Sequence, residues 1–141
     1  MKYTRKPFIV SDDGLYIKAL NGFPGALLKH LCANLSDLQI VGLLRARNDR
    51  RARFVNIIVF GDPKTQTLRI FSTLTDGSIA KVPSGSRTVG FAIERIFIPR
   101  NMHKTIAQLN EIEWHAFWNA YQQRLHYNKL GTWLIRGMPN D

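Results

Sequence analysis

Two carboxylates stand side by side at Asp12 and Asp13, just before Gly14, in the stretch SDDGLYIKALNGFPG (11–25). A carboxylate on a turn could hold Mg²⁺ and polarise a water for attack on a phosphate, because Mg²⁺ binds through one or two acidic oxygens plus waters and substrate phosphates. Adjacent aspartates also serve ordinary β-turns by hydrogen bonding to their own backbone, and the residue types leave both readings open. A second group is LRARNDRRAR (44–53), where Arg45, Arg47, Arg50, Arg51 and Arg53 surround one acid, Asp49. Guanidinium groups bind phosphates in bidentate fashion, so this run could grip RNA or DNA, or equally be a solvated surface. A third group is aromatic: Trp114, Phe117, Trp118, Tyr121, Tyr127 and Trp133. Such rings could stack on single-stranded bases, but their helical spacing favours burial, in the core or against a partner.

The elements that must position these groups follow from the apolar period. Phe8–Val10 and Leu15–Leu20 read as two strands of a hairpin with Asp12-Asp13-Gly14 at its tip. Pro24 and Gly25 break the chain, ALLKHLCANL (26–35) has helical spacing, and Ser36 with Gln39 makes a capping box for a second helix. From Ala52 the period becomes that of strands: ARFVNIIVF (52–60), a GDPKTQ turn, then TLRIFSTL (67–74). Asp76-Gly77 is a further hairpin signal, VGFAIERIFI (89–98) a further strand, and Asn110 with Glu113 caps a C-terminal helix. Strands, helices, strands and a final helix in that order give an α/β protein of the mixed α+β kind, built on an elongated sheet.

A chain of 141 residues fits one domain, 1–141, able to bury a core without staples. Cys32 is the sole cysteine, which excludes an internal disulfide and a C-x-x-C zinc site and is compatible with a reducing, intracellular compartment. No apolar run is long enough to span a bilayer and no export signal opens the chain, so a membrane is not an expected partner. Twenty Lys and Arg against ten Asp and Glu give a formal charge of +10, which favours a polyanionic partner such as nucleic acid.

The stretch 11–25 closely resembles the signature of the inosine triphosphate pyrophosphatase family, acid-Asp-Ser/Thr-Gly-Leu, a short strand, then Ala-Leu-Asn/Gly-Gly-x-Pro-Gly. Asp12, Gly14, Leu15, Ala19, Leu20, Asn21, Gly22, Pro24 and Gly25 fit it in register. RRARF (50–54), DGSIAKVPSG (76–85), GFAIERIFIP (90–99) and KTIAQL (104–109) are similar to later family segments in the same order. The resemblance implies an elongated mixed sheet with flanking helices. It makes Asp12 the general base and Mg²⁺-linked aspartate of an active enzyme, and puts Phe91, Glu94 and Lys104 near the nucleotide.

The departures fall on groups that chemistry uses. Ser11 replaces an acid and Asp13 a Ser/Thr; Ile93 stands where the family has a stacking aromatic, which an aliphatic side chain cannot replace, and Arg95 where it has Pro. Trp114, Trp118, Asn119 and Ala120 stand at the places of the family's Lys and Ser-His-Arg, and His115 is one residue out of register. The family's phosphate loop and metal-binding Glu, which lie ahead of the acidic stretch, are expected to be missing from an N-terminally shortened chain. Phosphoanhydride cleavage relies on such cations and metal to stabilise developing charge. The leading expectation is therefore a degenerate, non-catalytic member that needs no cofactor. It would act as a basic interaction module, with the five arginines facing nucleic acid or a ribonucleoprotein, and an apolar or aromatic surface facing a protein partner or a second copy. The alternative is a Mg²⁺-dependent pyrophosphatase acting on aberrant purine nucleotides such as ITP and XTP. A nucleotide sensor without turnover lies between them.

Overall fold

The computed structural model describes residues 5–86, 88, 93–122 and 125–137. Strand β1 (Phe8–Ile17) leads through a 3₁₀ turn at Lys18–Leu20 to the two-residue β2 (Pro24–Gly25), followed by helices α1 (Leu28–Asn34) and α2 (Asp37–Gly42). The long strands β3 (Arg51–Asp62) and β4 (Thr67–Ile79) come next, then β5 (Phe97–Pro99), a 3₁₀ turn at Ile106–Gln108, and helices α3 (Glu111–Gln122) and α4 (His126–Ile135). The strands form one sheet in the order β2-β1-β3-β4-β5. Every pairing among the described residues is antiparallel, so the α+β class holds while the sheet is not mixed.

The acidic stretch is not a hairpin tip. Strand β1 pairs with β3 without a break from Phe8 opposite Gly61 to Ile17 opposite Ala52, placing Asp12 and Asp13 mid-strand opposite Ile57 and Asn56. Gly14 serves close approach instead of a turn: a Cβ there would sit 3.0 Å from the Tyr16 ring and 3.1 Å from the Gly25 carbonyl oxygen. Asp76-Gly77 is mid-strand for the same reason, β4 running straight to Ile79, because only a missing Cβ admits the Phe97 ring and the Ile98 carbonyl. The strand expected at 89–98 is reduced to β5; 93–96 is a turn, and 89–92 lie outside the described residues. The C-terminal helix is two helices.

Period-two alternation divides the sheet into two faces. Leu15 and Ile17 of β1, Ala52, Phe54, Ile58 and Phe60 of β3, and Ile79 of β4 point under the helices and are buried. They pack with Leu28 and Leu31 of α1, Ile40 and Val41 of α2, Ile93, Ile96 and Phe97 around β5, and Phe117 of α3, while Leu130 and Trp133 of α4 cover Ile58 and Phe60. Burying each of the Val, Leu, Ile and Phe side chains among them contributes about 1.5–3 kcal/mol. The capping residues behave as their spacing requires: Ser36 and Gln39 form a reciprocal box on α2, and Asn110 and Glu113 bond each other's backbone N–H at 2.9 Å ahead of α3.

Candidate functional site

Alternation sends Asp12 and Asp13 to opposite sides of β1, and their surroundings differ accordingly. Asp13 shares the helix-covered side with Leu15, where buried Asn56 donates from Nδ2 to its Oδ1 at 2.5 Å. Tyr121 of α3 in turn donates its hydroxyl hydrogen to Asn56 Oδ1 at 2.7 Å. Asp12 is exposed and its side chain has no hydrogen bond or ion pair among the described residues. Strand β2 pairs only with Leu15 and Tyr16, so among the described residues the edge of β1 at Asp12 is open. One carboxylate is held by the fold; the other is available.

Both aspartates line a cavity of about 700 Å³ together with Lys29, Asn56, Trp118, Tyr121 and His126. His126, buried at the start of α4, donates its backbone N–H to Thr73 Oγ1 at 2.7 Å and sets Nδ1 3.1 Å from the same hydroxyl. Burial pushes the His126 pKa down; the Asp13 charge opposes that shift and the Lys129 charge reinforces it. Cys32 also borders the cavity, but burial and the nearby Asp37 carboxylate push its thiol pKa up, away from a reactive thiolate. The cavity therefore combines the held carboxylate of Asp13, a lysine, and neutral hydrogen-bonding groups fixed to one another, while Asp12 borders it from β1 with its side chain on the opposite side of the strand. Such a set can orient a polar ligand, and the exposed Asp12 carboxylate at the edge of β1 can accept a proton from a water.

The other residues singled out by sequence lie elsewhere. Phe91 falls outside the described residues. Glu94 is half-buried in the 93–96 turn, its carbonyl accepting from the Ala107 N–H at 2.8 Å. Lys104 donates to Glu113 Oε1 at 2.7 Å and lines a separate cavity with Gly85, Ser86 and Gln108. Ile93 is buried in the core, 1% exposed, and offers no face for stacking. Among the arginines, Arg50 is spent inside the fold, donating to the carbonyls of Leu44, Ile79 and Ala80. Arg51 pairs with Asp49 and Arg53 with Asp76, while Arg45 and Arg47 are exposed on the turn after α2. In the aromatic group, Phe117 and Tyr121 are buried and Trp114 and Trp118 half-buried, with the Trp114 and Trp118 rings stacked at 5.4 Å.

Sequence reasoning missed Asn56, Thr73 and His126. A signal existed for Asn56: it is the one polar residue at a core-facing position between Phe54 and Ile58 in β3. His126 had none, because its role comes from Thr73, distant in the chain.

Comparison with known proteins bears on what this arrangement does. The model of the Ham1 family matches residues 1–118. A dITP/XTP pyrophosphatase of Thermococcus kodakarensis is 36% identical over 107 residues, covering 76% of this chain and 55% of that protein. The dITP/XTP pyrophosphatase of Methanopyrus kandleri is 35% identical over 104 residues, covering 74% and 54%. Among solved structures, a HAM1 protein from Coxiella burnetii superposes with a TM-score of 0.75 at 27% identity, covering 95% of this chain and 70% of that one. The chain spans about half the length of the curated relatives it matches, 55% and 54% of the two named.

Proposed function

The chain belongs to the Ham1 family, and from that premise we propose that it serves a nucleoside triphosphate pyrophosphatase acting on aberrant purine nucleotides such as ITP and XTP. Water would attack the α-phosphorus, the α–β phosphoanhydride would break, and nucleoside monophosphate and pyrophosphate would leave. The observation that supports this is the division of labour between the two aspartates: Asp12 lies open at the edge of β1 beside the cavity, while Asn56 engages Asp13. Asp12 accepts the proton of the attacking water in this reading.

The residues present fit Mg²⁺ in the mode that uses one carboxylate with waters and substrate phosphates, since Asp12 is an exposed oxygen donor without a competing partner. They do not form a closed cage: no group of three or more metal-binding side chains exists among the described residues. When bound at Asp12, Mg²⁺ would neutralise phosphate charge. Lys29 stands on the cavity wall where it can add positive charge, and Trp118 and Tyr121 close its apolar side.

The non-catalytic module expected from the substituted motifs is the less favoured reading, because the relatives compared are themselves named as pyrophosphatases. One observation still favours a change in base recognition: the buried Ile93 cannot stack on a purine. Nucleoside triphosphates are intracellular, so we take the compartment to be intracellular. Pyrophosphate release from a panel of ITP, XTP, GTP and ATP, with and without Mg²⁺, tests the proposal. Turnover of ITP or XTP that chelation abolishes is expected; none with any nucleotide would return the non-catalytic module.

A further inference from the structure

The sheet face turned away from the helices, which also bears the Asp12 side chain at mid-strand, carries a groove that the candidate site does not use. A cavity of about 810 Å³ lies over the Tyr16 end of that face, walled by Tyr16, Val55, Leu74 and Ile98 and rimmed by Lys18, Arg51, Arg53 and Arg100. It shares no lining residue with the Asp12 cavity. At ~3.3 Å per residue, Tyr16 lies about 13 Å along β1 from Asp12.

Three features of the groove point to its ligand. The first is charge. Asp49 holds Lys18 at 4.0 Å and Arg51 at 2.7 Å, and Asp76 holds Arg53 at 2.6 Å and Arg100 at 3.5 Å, so each acid is shared by two cations. The cationic side chains are 52–72% exposed and the acids 33%, which leaves an outward-facing positive rim whose geometry the acids fix. The second is a fixed ring. Tyr16 is 42% exposed, yet its other side rests on backbone: ideal Cβ positions at Gly14, Gly22 and Gly25 lie 3.0, 3.6 and 3.5 Å from its ring atoms. The third is an apolar lane continuing from the groove past Leu74 and Ile70 to Phe8, whose ring lies over Gly61. Phe8 and Tyr16 point to the same side, about 26 Å apart along the strand.

We infer that this face binds single-stranded nucleic acid, with a base stacked on Tyr16 and the adjoining phosphates held by Arg53, Arg100 and Lys18. A stacking ring beside a cationic rim is how single strands are bound without base-edge readout, and the chain's charge of +10 supplies the long-range attraction. A polyanion complements the rim. A second copy docked on a two-fold axis through the groove would bring the positive rim against itself.

Anisotropy of labelled oligo-dT and oligo-U of about 15 nucleotides, titrated with the full chain at several salt concentrations, tests the inference. Binding is expected to weaken with salt, and Tyr16→Ala to weaken it roughly tenfold or more, while Tyr16→Phe keeps the native affinity. Arg100→Gln, a change at an exposed side chain that leaves the core untouched, is expected to lower the salt slope by about 0.7. Absence of binding at low salt, equal affinity for a duplex of the same length, or identical affinities for native, Tyr16→Ala and Arg100→Gln would overturn it. So would a stable dimer in sedimentation that excludes the oligonucleotide and dissociates on Ile70→Lys.

Discussion

The two faces of the sheet are built by the same strands and the same alternation, yet they end in opposite states. Beneath the helices, Leu15, Ile17, Phe54 and Ile58 are 0–4% exposed, and Asn56 bonds to Asp13 and Tyr121 and Thr73 to His126, while the buried Thr75 hydroxyl has no hydrogen-bond partner among the described residues. On the other face Val10, Leu68, Ile70 and Leu74 are 49–65% exposed, and the polar groups are salt-bridged cations at one end and the open carboxylate of Asp12. Apolar alternation thus marks a strand without telling which side a helix will cover. The covered face supplies stability and a fixed hydrogen-bond network; the open face and edge supply groups that a ligand can reach.

The largest expected difference between the faces is in stability. Phe54→Ala should cost about 3–5 kcal/mol in urea unfolding, and Ile70→Ala no more than about 0.5 kcal/mol. Equal costs would mean that the open face is packed in solution. Next is the network. Tyr121→Phe removes the donor to a buried Asn56 oxygen and should cost about 1 kcal/mol, readable as a shift of the urea midpoint at constant slope. An unchanged midpoint would show that water replaces the hydroxyl at no cost.

The smallest effect is that of pH. The folded state holds the His126 pKa below its unfolded value near 6.5, so the unfolded chain binds the proton more readily. The contribution of a neutral His126 is therefore complete above about pH 6.5 and declines as pH falls through and below that value. Unfolding midpoints at pH 7.5 and 5.5 should differ less in His126→Gln than in the native chain, with Asp13 and Lys129 the charges that tune the difference. The same pH dependence in both would remove His126 as its source.

Much of the fold was legible because local signals and tertiary demands agree there. The Ser36–Gln39 box begins α2, Asn110–Glu113 precedes α3, and the β3 and β4 runs pair from Arg51 opposite Ser78 to Asp62 opposite Thr67. Two of the errors share one cause. Asp13-Gly14 and Asp76-Gly77 both carry turn chemistry, but each glycine exists to let an aromatic ring and a carbonyl of another segment approach, which no local window reveals. The site was legible only in part. Asp12 was singled out by type and motif, but its exposure at an open edge and the capture of Asp13 by Asn56 depend on pairing between β1 and β3. The arginine run was legible as charge, not as roles: Arg50 binds carbonyls inside the fold while Arg53 joins the rim of the open face.

The central claim is that the open aspartate does chemistry and the held one does not. Pyrophosphate release from ITP or XTP with Mg²⁺, measured for the native chain, Asp12→Asn and Asp13→Asn, tests it most directly. The expected result is a loss of at least about a hundredfold in Asp12→Asn, on the scale of removing a positioned base, with Asp13→Asn retaining turnover and losing stability. Turnover surviving in Asp12→Asn, or lost in Asp13→Asn while the fold stays intact, would contradict the account.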